Sequence, residues 1–245
     1  QKDIQSFTGG TLYLDPARRD DANQAVYHLE DYTPNLIPIW DDLTTRFDQI
    51  LVKTSPMLSI PLALQQLHGI CEVWVISYKN ECKEVIYRFN KDIKIKAIRA
   101  FNIKAEGVDT FDSELGTNAV NNNKYSVPLR YVYEPNASIL KAGVQDELGS
   151  AFHLKKLHPN SHLYTADELQ PAYQGRIFEL EETLKPFDKK LKKGRFNIIS
   201  RNFPEKASAI ENKLKTKPSP NHDFILATTL YDGIKVFLKV KQLAS

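Results

Sequence analysis

Thr11-Leu12-Tyr13-Leu14-Asp15-Pro16-Ala17-Arg18-Arg19 is the stretch that decides the fold. Four β-prone, mostly apolar residues run into a carboxylate, then into a proline that cannot extend a strand, then into two arginines. The stretch reads as a buried strand reaching its mouth. In open α/β sheets the ligand crevice lies outside the carboxyl ends of the strands, so a charged turn there is placed to work on a small molecule or a nucleotide. Asp15 can accept a hydrogen bond from an amine or a ring N–H, and Arg18 can hold a phosphate or carboxylate bidentately. The competing reading makes Asp15 a helix-entry cap and leaves Arg18 and Arg19 solvated.

Working outward, strand and helix alternate to about residue 90. Gln24 to Phe47 has apolar residues at helical spacing, broken by Pro34 and Pro38, and leads into a strand at Gln49 to Lys53. The polar mouth Thr54-Ser55-Pro56 follows, then a short helix from Ser59 to Leu67 that tolerates Pro61 in its first turn. Cys71 to Tyr78 is a third strand. The turn Lys79 to Lys83 is too short for anything but an antiparallel return along Glu84 to Phe89.

Further strands are expected at Ile93 to Ile103 and Val127 to Tyr133, joined by a mobile polar loop through Asn118 to Asn123. Ala137 to Phe152 reads as one amphipathic helix capped by Asn136. After residue 174 come a strand at Gly175 to Glu182, a lysine-rich helix or turn, a strand at Phe196 to Arg201 and a helix at Pro204 to Leu214. Two closing strands, Asp223 to Tyr231 and Ile234 to Val240, meet at Asp232-Gly233, a strong hairpin signal.

The bulk properties bound the function. With 245 residues and 42% hydrophobic content the chain can bury a substantial core. No apolar run approaches the roughly 20 residues of a membrane helix and no signal peptide opens the chain, so the expected compartment is the cytoplasm. Two cysteines, Cys71 and Cys82, suit a reducing environment and make neither a disulfide framework nor a zinc knuckle. No metal is expected, since Pro159 breaks the helix that would align His158 with His162. Residue 1 is Gln and the single methionine is Met57, which reads as a piece of a longer protein.

Charge is uneven. Residues 185–245 hold 14 Lys/Arg against 5 Asp/Glu, a balance of +9 within a chain whose net charge is +3. Such asymmetry is the footprint of a basic module beside an acidic one, with nucleic acid the commonest partner, or else a solvated lysine-rich face. Lys189, Lys190, Lys192, Lys193, Arg195 and Arg201 form the block, and Lys155, Lys156 and His158 a second basic stretch. Few aromatics interleave them, so phosphate contact fits better than base stacking.

Several motifs together resemble one family. They are Leu14-Asp15-Pro16-Ala17-Arg18-Arg19, Val52 to Leu58, Lys79 to Glu84, Tyr131 to Gly143 (Tyr-Val-Tyr-Glu-Pro-Asn-Ala-Ser-Ile-Leu-Lys-Ala-Gly), Leu157 to Thr165 and Arg201 to Pro204. The combination resembles the Bacteroidetes-type class I S-adenosylmethionine-dependent methyltransferases, whose catalytic domain is followed by a ferredoxin-like segment and a C-terminal THUMP-like domain. The resemblance implies an α/β plus α+β fold: residues 1–130 as the C-terminal half of a Rossmann-like methyltransferase sheet, 131–173 as the ferredoxin-like segment and 174–245 as the THUMP-like domain. It implies S-adenosylmethionine as cofactor of the full-length protein and structured RNA, transfer RNA being the commonest case, as partner.

The resemblance also places the sites. Asp15, Pro16 and Arg18 correspond to the family's Asp-Pro-Pro strand-end motif, with Ala17 in place of the second proline. Lys53 and Ser55 at the next strand mouth, and Asn80, Glu81 and Cys82 in the neighbouring turn, would line the same pocket. Cys82 as a nucleophile would need thiolate activation, and no partner for that is visible. The glycine-rich cofactor loop is missing. Gly9-Gly10 precedes the wrong strand, so this chain alone is expected to bind the cofactor poorly and to be inactive. Two other classes remain open: a non-catalytic RNA-binding protein with a degenerate methyltransferase half, and a methyltransferase acting on protein or a small molecule.

Overall fold

The computed structural model describes residues 7–17, 28–94, 96–115 and 124–243. The chain divides into two compact units, residues 1–118 with 137–144, and residues 119–136 with 145–245.

Unit 1 is built on six strands: β1 (Thr11–Leu14), β2 (Gln49–Thr54), β3 (Ile70–Tyr78), β4 (Glu81–Asn90), β5 (Ala97–Lys104) and β6 (Gly107–Glu114). They lie in the order β1-β2-β4-β3-β5-β6. β1 and β2 are parallel, as the crossover between them requires, and β3 and β4 are antiparallel, as their short turn requires. β4 inserts between β2 and β3 and runs against both. β5 then adds parallel to β3, and β6 closes the edge antiparallel.

Ile50, Val52, Val73, Val75, Val85 and Tyr87 are fully buried and alternate with partly exposed neighbours, which leaves one dry face. Leu29, Tyr32, Leu36, Trp40, Leu43, Leu58, Ala63 and Leu67, from the segments that connect the strands, are buried as well. Each large side chain so buried contributes about 2 kcal/mol.

The helical expectation for Gln24 to Phe47 is only partly realised. Its described part forms single 3-10 turns at Leu29–Asp31 and Ile37–Ile39, then α1 (Trp40–Arg46), because Pro34 and Pro38 interrupt the donor series. α2 (Ile60–Gln66) carries Pro61 in its first turn, as expected. The strand expected at Ile93–Ile103 is β5, while β6 is an addition. Its sequence is polar and carries no apolar alternation to announce a strand, although Asp109, Phe111 and Ser113 share the less exposed face. The polar loop 118–123 lies outside the described residues.

The single helix expected from Ala137 to Phe152 is two. α3 (Ala137–Ala142) ends at Gly143, whose φ of 79° a side chain would resist, and whose N–H bonds to the carbonyls of Ile139 and Leu140. α3 packs on β3, β4 and β5 and so belongs to unit 1.

Unit 2 has one seven-stranded sheet. Its elements are β7 (Tyr131–Pro135), α4 (Gln145–Ala151), β8 (Lys155–Lys156), β9 (Tyr164–Ala166), β10 (Gly175–Leu184), β11 (Asn197–Ser200), α5 (Ala207–Leu214), β12 (Asp223–Thr229) and β13 (Lys235–Gln242). The order is β11-β12-β13-β10-β7-β9-β8, so strands on either side of residue 173 share the sheet. The strand expected from Val127 begins only at Tyr131.

β12 alternates Ile225 and Ala227, which pack with Ile210 and Leu214 of α5, against Leu226, which packs with Phe178, Leu163 and Leu238. Both faces of that strand are therefore covered. Asp232-Gly233 turns β12 into β13 as the dipeptide predicts, with Gly233 at φ 85° and the Asp232 carboxylate accepting from Ile234 N–H at 3.0 Å.

Candidate functional site

At the carboxyl end of the unit 1 sheet the parallel register sets Leu14 beside Val52, so the next residue on β1 meets the next on β2. Lys53 Nζ lies 2.6 Å from Asp15 Oδ2 in a pair that stays part-solvated, with side chains 23% and 44% exposed. The hydrogen bond to Asp15 holds the Lys53 ammonium above its ordinary value, with smaller contributions from Glu84 and Tyr13. Asp15 Oδ1 has no partner among the described residues, and the side chain is half exposed. Pro16 is buried, and Ala17 is bound through both backbone groups to Thr33. This fixes the turn. Arg18 lies outside the described residues.

The other expected pocket residues divide. Ser55 Oγ accepts from Met57 N–H at 3.1 Å and its carbonyl from Leu58 N–H, so Ser55 shapes the turn after β2. Asn80, at φ 61°, accepts the backbone N–H of Ala137 on its Oδ1 at 2.7 Å and gives its own N–H to Asn102, which also binds Ser77. It is a fastener between the β3–β4 turn and α3. Glu81 is exposed and pairs with Lys83 at 2.6 Å. Burial pushes the Cys82 thiol up from its ordinary value, against a smaller opposing pull from Lys141. A thiol so held is a poor nucleophile, in keeping with the missing activation.

Sequence reading passed over Lys141. Its Nζ donates to the Leu58 carbonyl at 2.8 Å, and burial holds the ammonium below its ordinary value. The signal was present in the Tyr131–Gly143 motif but was read as one face of a helix.

In unit 2 the expected RNA-contact residues also divide. In place of that role Lys156 is 2% exposed and bonded to Asp146 at 2.6 Å, with Tyr164 donating to the same carboxylate. Lys155, next to it on β8, faces solvent. His162, beside this cluster, is held below its ordinary pKa by burial and then by Lys156, and its Nδ1 is buried without a partner.

Arg201 is partly diverted. Its Nε donates to Glu134 at 2.7 Å, and Glu134, almost fully buried on β7, also takes Arg176 from the directly opposed position on β10. His158 Nδ1 accepts from Asn160 N–H at 3.0 Å and lies 2.9 Å from Asn202 Nδ2.

The remaining block forms a ridge. Backbone bonds from Lys193 to Leu214, Phe196 to Lys217 and Lys217 to Gly194 lay the segment 193–196 alongside 214–217. Lys192, Lys193, Arg195, Lys213, Lys215 and Lys217 thus stand together and exposed. Of these six, only Lys213 has a carboxylate partner among the described residues, Glu205 at 2.9 Å. Lys190 pairs with Glu182 at 2.6 Å.

A ferredoxin-like domain family matches residues 131–173, and a THUMP domain-like family matches residues 175–239. An uncharacterized S-adenosylmethionine-dependent methyltransferase of Mycobacterium tuberculosis, found in two strains, is 24% identical over 215 residues, 85% of this chain and 57% of that protein. A crystal structure from Porphyromonas gingivalis W83, of a protein provisionally named a methyltransferase, matches with a TM-score of 0.84. It is 32% identical over 96% of this chain and 60% of that one. The chain is similar to proteins named as S-adenosylmethionine-dependent methyltransferases. It spans under two thirds of the length of each of these relatives.

The ferredoxin-like match is one of fold: Cys71 and Cys82 are the only cysteines, so 131–173 offers no thiolate to an iron–sulfur cluster. Among the described residues no group of three or more His, Cys, Asp or Glu is placed to hold a metal, and no helix is long and apolar enough to cross a membrane.

Proposed function

We propose that the protein transfers a methyl group from S-adenosylmethionine to structured RNA, and that this chain supplies the acceptor side of the pocket together with the RNA-gripping module. Residues 1–130 then act as the catalytic half-sheet, 131–173 as a ferredoxin-like connector and 174–245 as the RNA module. The described residues offer no cradle for the cofactor. The paired glycines Gly9 and Gly10 precede β1, and the Gly10 N–H is already bonded to Asp48 at 2.8 Å. What falls to this chain is orientation of the acceptor. The second oxygen of Asp15, Oδ1, accepts a hydrogen bond from an acceptor N–H and aims the nitrogen lone pair, while Lys53 holds the first. A sulfonium methyl needs no covalent assistance, so alignment provides most of the rate.

The observation that carries the substrate class is the ridge at 192–195 and 213–217, six exposed cations on two laddered segments with one carboxylate among their partners. Phosphate neutralisation releases counterions, so binding of transfer RNA should weaken about tenfold or more between roughly 50 and 200 mM salt. Replacing Lys189, Lys190, Lys192 and Lys193 together by glutamine should weaken binding and flatten the salt slope without unfolding the domain, because exposed lysines add little to stability. Filter-binding titration of both proteins measures this. An unchanged affinity and slope would leave the lysines as a solvated face and remove the support for RNA.

A further inference from the structure

Among the described residues, Lys141 is the one buried or half-buried lysine or arginine that no carboxylate answers. Every other cation that is not exposed has a carboxylate partner, from Lys53 with Asp15 and Arg88 and Arg99 with Glu72 in unit 1 to Lys156 with Asp146 and Lys239 with Glu181 in unit 2. Lys141 has one neutral acceptor, the Leu58 carbonyl at 2.8 Å, which leaves two N–H donors unused. A half-buried ammonium with donors to spare is stabilised by an anion that takes them.

Its place in the fold says where that anion would come from. Asn80, in the turn after β3, holds the first residue of α3, and Lys141, near its last, reaches the turn after β2. These two bonds tie α3 to the turns that follow β3 and β2, which leave the sheet at the same end as Asp15 and Lys53. Asp15 pairs with Lys53, whereas half-buried Lys141 has no carboxylate partner among the described residues. Burial holds its ammonium below its ordinary value. A compact ammonium on a flexible stem serves phosphate as a point charge.

We propose that Lys141 is an anion-binding residue at the carboxyl end of the unit 1 sheet and that it takes a phosphate group of the acceptor molecule. The word acceptor rests on the reading given above; phosphate binding at Lys141 does not.

The test uses the isotopically labelled 245-residue chain, titrated at constant ionic strength with inorganic phosphate, adenosine 5′-monophosphate and adenosine, with the amide resonances of Leu58, Cys82 and Lys141 followed. Phosphate and the monophosphate should give saturating shifts in the range of about 1–10 mM and adenosine none. Lys141→Gln should weaken the site about tenfold or more, and Lys141→Arg should stay within about threefold of the wild type. Absence of a saturating shift in the wild type up to about 50 mM phosphate overturns the proposal whatever the variants do, as does equal affinity in Lys141→Gln. If Lys141→Gln does not fold, the wild-type titration and the arginine variant decide. Failure of methyl transfer to any RNA, measured on the longer protein, would overturn the functional reading and leave this result standing.

Discussion

Asp15 shows what a residue's neighbours add to its type. The sequence places a carboxylate at a strand mouth and leaves two roles open, cap or acceptor-binding group. The register of β1 on β2 sets it against Lys53, 38 residues away. In the longer protein Asp15→Ala should lower methyl transfer about a hundredfold or more, roughly 3 kcal/mol of transition-state stabilisation. Its melting temperature should hardly move, because a part-solvated ion pair contributes little to stability. Kinetic assay beside thermal melting separates the two roles, since a cap would instead show as a stability loss of about 1 kcal/mol with activity intact. Lys156 is the converse: a lysine in a basic run whose type suggests solvent, enclosed because Asp146 and Tyr164 come to meet it.

Elements were legible where local rules act alone. Strand, turn and strand from Cys71 to Phe89, the proline-led α2 and the Asp232-Gly233 hairpin follow from chain geometry within a few residues. β6 was not legible, since its pairing with β5 supplies the order that its polar composition does not. The join between β7, β10 and the end of β11 was not legible either. Glu134 draws Arg176 and Arg201 onto one buried carboxylate from positions 42 and 67 residues distant. Glu134→Ala should therefore destabilise unit 2 by about 3 kcal/mol, since it removes the partner of two guanidinium groups. Denaturant unfolding followed by Trp-independent circular dichroism reads the change, and Glu134→Asp should recover part of it. A loss below about 0.5 kcal/mol would show that both arginines are satisfied by water.

For the whole molecule, the absence of a glycine-rich strand-to-helix turn from the described residues has a direct consequence. Calorimetric titration of this 245-residue chain with S-adenosylmethionine should show no binding tighter than about millimolar, whereas a protein of its relatives' length should bind in the micromolar range, a gap of roughly 4 kcal/mol. Tight binding by this chain would mean that the cofactor contacts lie among the strand mouths already described.

By itself the sequence determined the α/β half-sheet followed by an α+β module, most strand and turn positions, the strand-mouth motif and the basic C-terminal block. Each of these depends on neighbours a few positions away or on simple charge counts. Only the tertiary structure decided which charges remain available. It set Asp15 on Lys53, enclosed Lys156, diverted Arg201 to Glu134, split the expected helix so that α3 joins unit 1, and left Lys141 without a carboxylate among the described residues. The reason is physical: the state of an ionisable side chain is governed by burial and by the nearest opposite charge, and both are set by pairings between residues far apart along the chain.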